Sequence, residues 1–148
     1  MNEKTYKLTD KVQTIEAIYN LAYQYYADLD EIYLNGTPLS YLSVKNYYDY
    51  IRLIPYKMDK EPDEIIGRPK RLIQLSAMDC KKKTCMLSAY AVKKQIPFHL
   101  VVVSQRKDRE FHHIFPEFKV NNKWVSFDAT YAKYRIGQYK SFTAKEVY

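Results

Sequence analysis

The fold is decided by the stretch MDCKKKTCMLSAYAVKKQIP, residues Met78–Pro97. Its apolar spacing predicts a loop that ends at Cys80 and a helix that runs from there to about Lys94. A residue in the first helical turn lies beside unpaired N–H groups and the positive end of the helix dipole, which favour an anion. Because this setting stabilises a thiolate, Cys80 is a candidate nucleophile.

The same stretch leaves other interpretations open. Lys81, Lys82 and Lys83 either add positive charge beside the thiol or form a solvated helix face. Cys80 is alternatively a small buried apolar residue. That is our prediction for Cys85, because free cysteine is among the most buried residue types. The two cysteines lie on diverging faces of one helix, so we expect no disulfide between them.

Downstream of the helix, the sequence predicts a sheet. Phe98–Ser104 is apolar and β-branched, which is typical of a buried central strand. His112–Val120 and Lys123–Phe127 are predicted as two further strands, joined by Asn121 and Asn122. Asparagine tolerates the positive φ angles that a two-residue hairpin turn requires.

This turn places a histidine and an aspartate on one face of the hairpin. With Asn121 and Asn122 as the turn, Phe115 lies opposite Asp128, and His113 is the diagonal neighbour of Asp128. The diagonal separation is about 7–8 Å between backbones, which the two side chains can span. A three-residue loop would send Asp128 to the opposite face.

Cys80, His113 and Asp128 together suit acyl-transfer chemistry. A thiolate attacks an acyl carbon, His113 exchanges the proton, and Asp128 holds the imidazole in one tautomer. Nucleophile and base would then lie on opposite walls of a cleft, one on the helix and the other on the sheet. The alternative for Asp128 is a turn former before Ala129.

The other histidines are predicted to lie outside this site. Strand alternation turns His112 away from His113, and His99 lies within the predicted buried strand. A zinc site is not expected, because the cysteines and histidines lack the usual C-x₂₋₄-C or H-x₃₋₅-H spacing. We therefore predict no metal and no cofactor.

The N-terminal part of the chain is predicted to be helical. Apolar residues at helical spacing indicate helices at about Asp10–Asp28 and Ser43–Ile54, with a turn at Asn35–Pro38 between them. Met1–Thr9 is predicted as a polar lead-in. We see no internal repeat and predict one domain over residues 1–148, with its helical part at 10–55.

The connecting segments are predicted to be irregular. Tyr56–Lys70 is predicted as extended, with one helical turn at Pro62–Ile66, because Pro62, Gly67 and Pro69 interrupt it. Gln105–Glu110 is predicted as a charged loop. The basic tail that follows Asp128 is predicted to contain one further strand, around Arg135–Tyr139.

The chain is basic and rich in tyrosine, with a formal net charge of +7 and 16 tyrosines. Such a surface suits a nucleic acid or an anionic substrate, but no nucleic-acid-binding motif is present, and an ordinary basic surface explains the scattered lysines equally well. No signal peptide is visible, and no apolar run is long enough to span a membrane. We expect a cytoplasmic protein, with leaderless export and association with a virus particle as the alternatives.

Three motifs in order resemble the transglutaminase-like superfamily in its bacterial and phage form. They are Asp79-Cys80 before the helix, His113-Ile114-Phe115-Pro116-Glu117, and Trp124-Val125-Ser126-Phe127-Asp128-Ala129-Thr130. The resemblance covers about Pro69–Thr130, which would be the catalytic core. The chain departs from the family's wording at Met78, Lys81-Lys82 and Gln95, where Gly, Asp-Asp and Gly are usual.

The resemblance implies an α+β, papain-like fold in which N-terminal helices and a nucleophile-bearing helix pack on an antiparallel sheet. It also implies a triad of Cys80, His113 and Asp128. Asp79 is expected as a supporting residue, and Glu117 and Trp124 as structural supports of the hairpin. For the oxyanion, we predict the backbone N–H of Cys80, with Gln74 as a side-chain candidate.

The activities of this family are acyl transfers through a thioester. They include peptide hydrolysis, deamidation and the cross-linking of glutamine to amines. We predict a small cysteine peptidase or amidase with a protein or peptide substrate. The alternatives are transglutaminase-type cross-linking and a non-catalytic interaction or virion structural module that retains the fold.

Overall fold

The structure, a computed structural model, describes residues 6–7, 11–58, 65–104, 112–139 and 141–148. The predicted loop Gln105–Glu110 lies outside the described residues, as does most of the polar lead-in. Within the described ranges, no helix has both the length and the apolar character needed to cross a membrane.

The N-terminal half is mainly helical, as predicted. Its elements, in order, are β1 (Tyr6–Lys7), α1 (Lys11–Tyr25), β2 (Tyr33–Leu34), β3 (Thr37–Pro38), α2 (Val44–Arg52), β4 (Ile65–Ile66), α3 (Pro69–Leu72) and α4 (Cys80–Lys94). Two short 3-10 helices lie at Tyr26–Asp30 and Leu39–Tyr41.

The two predicted N-terminal helices are confirmed, although α1 gives way to a 3-10 helix after Tyr25, earlier than predicted. α2 begins after Ser43, because the Ser43 side chain accepts a hydrogen bond from the Asn46 N–H at 3.1 Å and caps the helix. The predicted turn is a hairpin between β2 and β3, in which Asn35 and Gly36 take positive φ angles.

The C-terminal half forms a four-stranded antiparallel sheet. Its strands are β5 (Phe98–Ser104), β6 (His113–Val120), β7 (Lys123–Ser126) and β8 (Ala144–Val147), in the order β7-β6-β5-β8. Val120 pairs with Lys123 across a turn in which Asn121 and Asn122 have φ angles of 52° and 63°. The predicted hairpin register is therefore confirmed, as is the central position of the Phe98–Ser104 strand.

Three predictions about the connecting segments are wrong. Ile65–Ile66 is a strand paired with β1 rather than part of a helical turn, while residues 59–64 lie outside the described part of the chain. Pro69 begins a short helix instead of continuing an extended segment, because its fixed φ suits the first helical position. The strand of the tail is Ala144–Val147, not Arg135–Tyr139, because pairing with the distant β5 selects it.

α4 packs against one face of the sheet, and the predicted α+β arrangement is confirmed. The shared core contains residues of the helix and of the sheet, among them Cys85, Met86, Leu87, Leu100, Val102, Ile114 and Phe118. From the other side, α2 is bonded to α4, because the Tyr47 hydroxyl donates to the Met86 carbonyl at 2.6 Å. Cys85 is 2% exposed, as its predicted core position requires.

The opposite face of the sheet carries a second, smaller cluster. Val101, Val103 and Phe115 are buried there, and Phe142 of the tail packs against them. Tyr139 of the tail stacks on Phe115, with ring centroids 5.8 Å apart. The tail therefore covers the face of the sheet that also carries His113.

Candidate active site

Cys80 is the first residue of α4 and is 6% exposed. Asp79 precedes it as the N-cap, and its Oδ1 accepts a hydrogen bond from the Lys82 N–H at 2.9 Å. The sulfur thus lies at the positive end of a helix whose start is held by a carboxylate. Asp79, predicted as a supporting residue, holds the turn that carries the thiol.

The three lysines after Cys80 lie in two different surroundings. Lys82 and Lys83 are 3% and 1% exposed, so the solvated-face interpretation is wrong for both. The ammonium groups of Lys81 and Lys82 lie 3.3 Å and 3.9 Å from Oδ2 of Asp79. Among the described residues this oxygen accepts no hydrogen bond, so its interaction with the two lysines is electrostatic. Lys83 instead reaches backbone carbonyls.

His113 and Asp128 are in direct contact. Nε2 of His113 and Oδ2 of Asp128 are 2.7 Å apart. Strand pairing continues one step beyond β7, because the Phe127 N–H donates to the Pro116 carbonyl at 2.9 Å. Asp128 therefore reaches the face on which the hairpin register predicted it.

The Asp128 carboxylate is fully buried, and both of its oxygens have partners. Oδ1 accepts hydrogen bonds from the Thr130 N–H at 3.1 Å and from the Thr130 hydroxyl at 2.6 Å. The backbone carbonyl of Asp128 accepts from the Tyr48 hydroxyl at 2.6 Å. These bonds leave Oδ2 pointing at the imidazole and fix the orientation of the carboxylate.

The imidazole of His113 is also hydrogen bonded to the side chain of Cys80. Because Nε2 faces Asp128, this second bond uses Nδ1. Burial lowers the pKa of His113, but the bonds to Asp128 and Cys80 outweigh burial and raise it to about 10. The ring therefore carries a positive charge at neutral pH, next to the sulfur.

Two tyrosines that the sequence analysis missed form a wall beside the thiol, which we call the tyrosine wall. The rings of Tyr56 and Tyr131 lie 5.1 Å apart, and their side chains are hydrogen bonded. Burial raises the pKa of Tyr56 to about 12, and the neighbouring Cys80 contributes. Burial likewise raises the pKa of Tyr131, with contributions from Cys80 and Asp128.

The wall is positioned by contacts between distant segments. The segment before α3 pairs with the loop before Cys80, because the Met78 N–H donates to the Pro55 carbonyl at 2.9 Å. No local pattern predicts this contact.

Thr130, which binds Asp128, could have been recognised from the sequence. A threonine two residues after an aspartate often forms a side-chain turn, and Asp128-Ala129-Thr130 has this spacing.

The remaining predicted site residues are Gln74, Glu117 and Trp124. Gln74 is exposed beyond the end of α3. Oε1 of Glu117 lies 2.6 Å from Nε2 of His99, and the indole of Trp124 lies 3.9 Å from the His99 ring. Glu117 and Trp124 thus contact His99 of β5. Glu117 lies four residues, about 13 Å, along β6 from His113. His112 is exposed.

The described residues contain no group of three or more His, Cys, Asp or Glu side chains arranged to bind a metal ion.

Comparison with known proteins finds similarity in structure rather than in sequence. No protein-family model matches the chain, and no curated protein matches it. The structure is similar to that of a candidate cysteine protease from Cytophaga hutchinsonii, with a TM-score of 0.46 and 16% identity over 90% of this chain. This chain spans 50% of the length of that protein.

Proposed function

We propose that the chain is a thiol-dependent acyl-transfer enzyme that cleaves amide bonds through a thioester, as a small cysteine peptidase or amidase. The observation that supports this function is the unbroken series of hydrogen bonds from Asp128 through His113 to Cys80, at the first turn of a buried helix. A nucleophile, a base and an orienting carboxylate are the parts that this chemistry needs. The proposed substrate is a protein or peptide.

In the proposed acylation step, the Cys80 thiolate forms a C–S bond with the amide carbon. The C–N bond breaks, and the His113 imidazolium gives its proton to the leaving nitrogen. The raised pKa of His113 depends in part on Cys80. Because acylation removes the charge of the thiolate, His113 becomes a stronger acid at the point where the leaving amine needs a proton.

In the proposed deacylation step, water attacks the thioester carbon. Neutral His113 takes the proton of this water, the C–S bond breaks, and the thiolate returns beside an imidazolium. Asp128 keeps one ring nitrogen occupied, so Nδ1 stays directed at the reaction in both steps.

The proposed oxyanion donor is the backbone N–H of Cys80, which belongs to the unpaired N–H groups of the first helical turn. Gln74 stays a prediction as the side-chain donor. The tyrosine wall favours substrates with an apolar or aromatic side chain beside the scissile bond, because ring faces bury such groups well.

The test is the rate at which each cysteine is alkylated by iodoacetamide at pH 6.5, followed by mass spectrometry. We expect Cys80 to react at least about 10-fold faster than an ordinary thiol of pKa about 8.5. Cys85 is the internal control, because burial raises its pKa and its side chain lies in the core. A Cys80 that reacts no faster than an ordinary thiol would contradict the proposal.

Transglutaminase-type cross-linking would use the same thioester with an amine in place of water. The described residues contain no feature that favours an amine acceptor, so hydrolysis is the first proposal. Incubation with a glutamine-containing protein and a labelled primary amine separates the two, because only the cross-linking reaction attaches the label.

A further inference from the structure

Lys83 is buried in the first turns of α4, three residues after Cys80, and is 1% exposed. Its Nζ donates to the carbonyls of Ile54 at 2.6 Å, Ala129 at 2.9 Å and Thr130 at 3.0 Å, with a longer contact to the Arg52 carbonyl at 3.4 Å. An ammonium group has three N–H donors, and the three shorter bonds are enough to use them all. Two of these three carbonyls belong to the loop that follows Asp128.

This position is unfavourable for a lysine unless something specific offsets it. A buried cation loses hydration, and the start of a helix repels positive charge. Burial lowers the pKa of Lys83 to about 8, while the nearby Asp128 carboxylate raises it. An apolar side chain of similar volume would fill the space without this penalty.

Lys83 belongs to a closed series of contacts that includes the residues of the candidate site. Lys83 binds the carbonyls of Ala129 and Thr130, and Thr130 donates twice to Asp128. Asp128 binds His113, and His113 binds Cys80. Cys80 and Lys83 are neighbours on one helical turn, so this closed series of contacts begins and ends at the start of α4.

We infer that Lys83 is a positioning residue, whose ammonium holds loop 128–130 against the first turns of α4 and thereby keeps the Asp128 carboxylate on His113. The catalytic meaning of this inference rests on the proposed function. The geometry that it predicts can be measured without any substrate.

α2 also contacts this part of the chain. The Tyr48 hydroxyl of α2 donates to the Asp128 carbonyl at 2.6 Å, and the Arg52 guanidinium of α2 donates to the carbonyl of Ala132, two residues beyond the loop. Thr84 of α4 donates to the Ile114 carbonyl of β6 at 3.3 Å and does not reach the loop. Lys83 is therefore a side-chain link between α4 and loop 128–130.

The charges around Lys83 come from each element that packs near it. The Asp128 carboxylate acts on it directly, and the His113 ring lies beyond that carboxylate. On α2, Arg52 is paired with Asp49 at 2.8 Å. On α4 itself, the ammonium of Lys82 faces Asp79 instead.

The experiment is NMR of the His113 ring at pH 6.5, where Lys83 is charged, in the full chain and in K83M, with Lys93→Met as a control from the C-terminal end of the same helix. In the parent chain and in the control, the ring proton on Nε2 should appear far downfield, because it is held in the hydrogen bond to Asp128. In K83M, we expect this signal to be lost or to move upfield, because a released Asp128 no longer holds the imidazole. An unchanged signal in folded K83M would overturn the inference.

A second measurement covers the case in which K83M does not fold. In the parent chain at pH 6.5, the ammonium protons of Lys83 should give a resolved, slowly exchanging NMR signal with close contacts to Ala129 and Thr130, whose carbonyls they bind. A Lys83 ammonium that exchanges as fast as that of an exposed lysine and contacts neither residue would overturn the inference. Slow alkylation of Cys80 in the parent chain would contradict the proposed function and leave the role of Lys83 standing, so the two failures are distinguishable.

Discussion

Two histidine–carboxylate pairs lie on the same face of the sheet. They have similar nitrogen–oxygen distances but different surroundings. The nitrogen–oxygen distance is 2.7 Å between His113 and Asp128 and 2.6 Å between His99 and Glu117. The first pair is diagonal across a hairpin, whereas His99 and Glu117 lie directly opposite each other on β5 and β6. Distance alone does not distinguish them.

Their surroundings do distinguish them. Asp128 is fully buried, and the ring that it holds is bonded onward to Cys80. Glu117 has Lys145 at 3.7 Å as a second partner, and the far side of the His99 ring is covered by the indole of Trp124. The comparison teaches that a histidine–carboxylate pair becomes a candidate site when the second ring nitrogen of the histidine faces a nucleophile. Within the described part of the chain, the His99–Glu117 pair lacks this contact and links β5 to β6.

The largest expected difference between the pairs is in the reactivity of Cys80. His113→Ala should slow the alkylation of Cys80 at pH 6.5 by about 100-fold, because the thiol loses its imidazolium. The matched change His99→Ala should leave the rate within about twofold. The rate is measured with iodoacetamide and mass spectrometry. Equal effects of the two changes would mean that the pairs do not differ in function.

The next effect concerns the carboxylates. Burial lowers the pKa of His113 while Asp128 and Cys80 raise it to about 10, so the imidazolium is present below that pH and is lost as the pH rises through it. Asp128→Asn should move the His113 midpoint to about 7–8 in an NMR titration and slow alkylation about tenfold. Glu117→Gln is the control and should leave the midpoint unchanged. A midpoint still near 10 in Asp128→Asn would speak against this account of the charge.

A third change is made at the His99–Glu117 pair and should affect stability instead of the reactivity of Cys80. Trp124→Ala removes the ring that covers His99, and we expect it to lower the free energy of unfolding by about 1–2 kcal/mol. The alkylation rate of Cys80 should stay within about twofold. Urea denaturation measures the first quantity. A loss of Cys80 reactivity in the folded variant would show that the two pairs are coupled along β6.

The smallest expected effect comes from one hydroxyl. Tyr48→Phe removes the bond to the Asp128 carbonyl, which should lower the free energy of unfolding by about 1 kcal/mol. We expect the alkylation rate of Cys80 to fall by less than about threefold, because Thr130 and Lys83 still hold the loop. A larger loss of rate would move the main positioning contact from Lys83 to Tyr48.

Much of the sheet could be predicted because its signals are local. Strand alternation and the Asn121–Asn122 turn set the register, and the register puts His113 and Asp128 on one face. The strand at Phe98–Ser104 was visible as an apolar β-branched run. The strand at Ala144–Val147 was not, because its residues are ordinary in composition and become a strand only by pairing with β5.

The lysines after Cys80 show where pattern reasoning stops. A run of three lysines is typical of a solvated surface, yet Lys82 and Lys83 are buried. Burial of Lys83 depends on carbonyls from two distant loops, at Ile54 and at Ala129–Thr130. Nothing near residue 83 in the sequence indicates that those carbonyls will be there.

The amino-acid sequence by itself determined that a cysteine begins a helix and that a histidine and an aspartate share one face of a hairpin. Helical periodicity, strand alternation and turn chemistry act over a few residues, so they can be recognised without the rest of the chain. Only the tertiary structure decided what surrounds those three residues: the tyrosine wall, the buried ammonium of Lys83 and the strand supplied by the tail. Each of these depends on segments far apart in sequence, whose approach is set by the packing of the whole core.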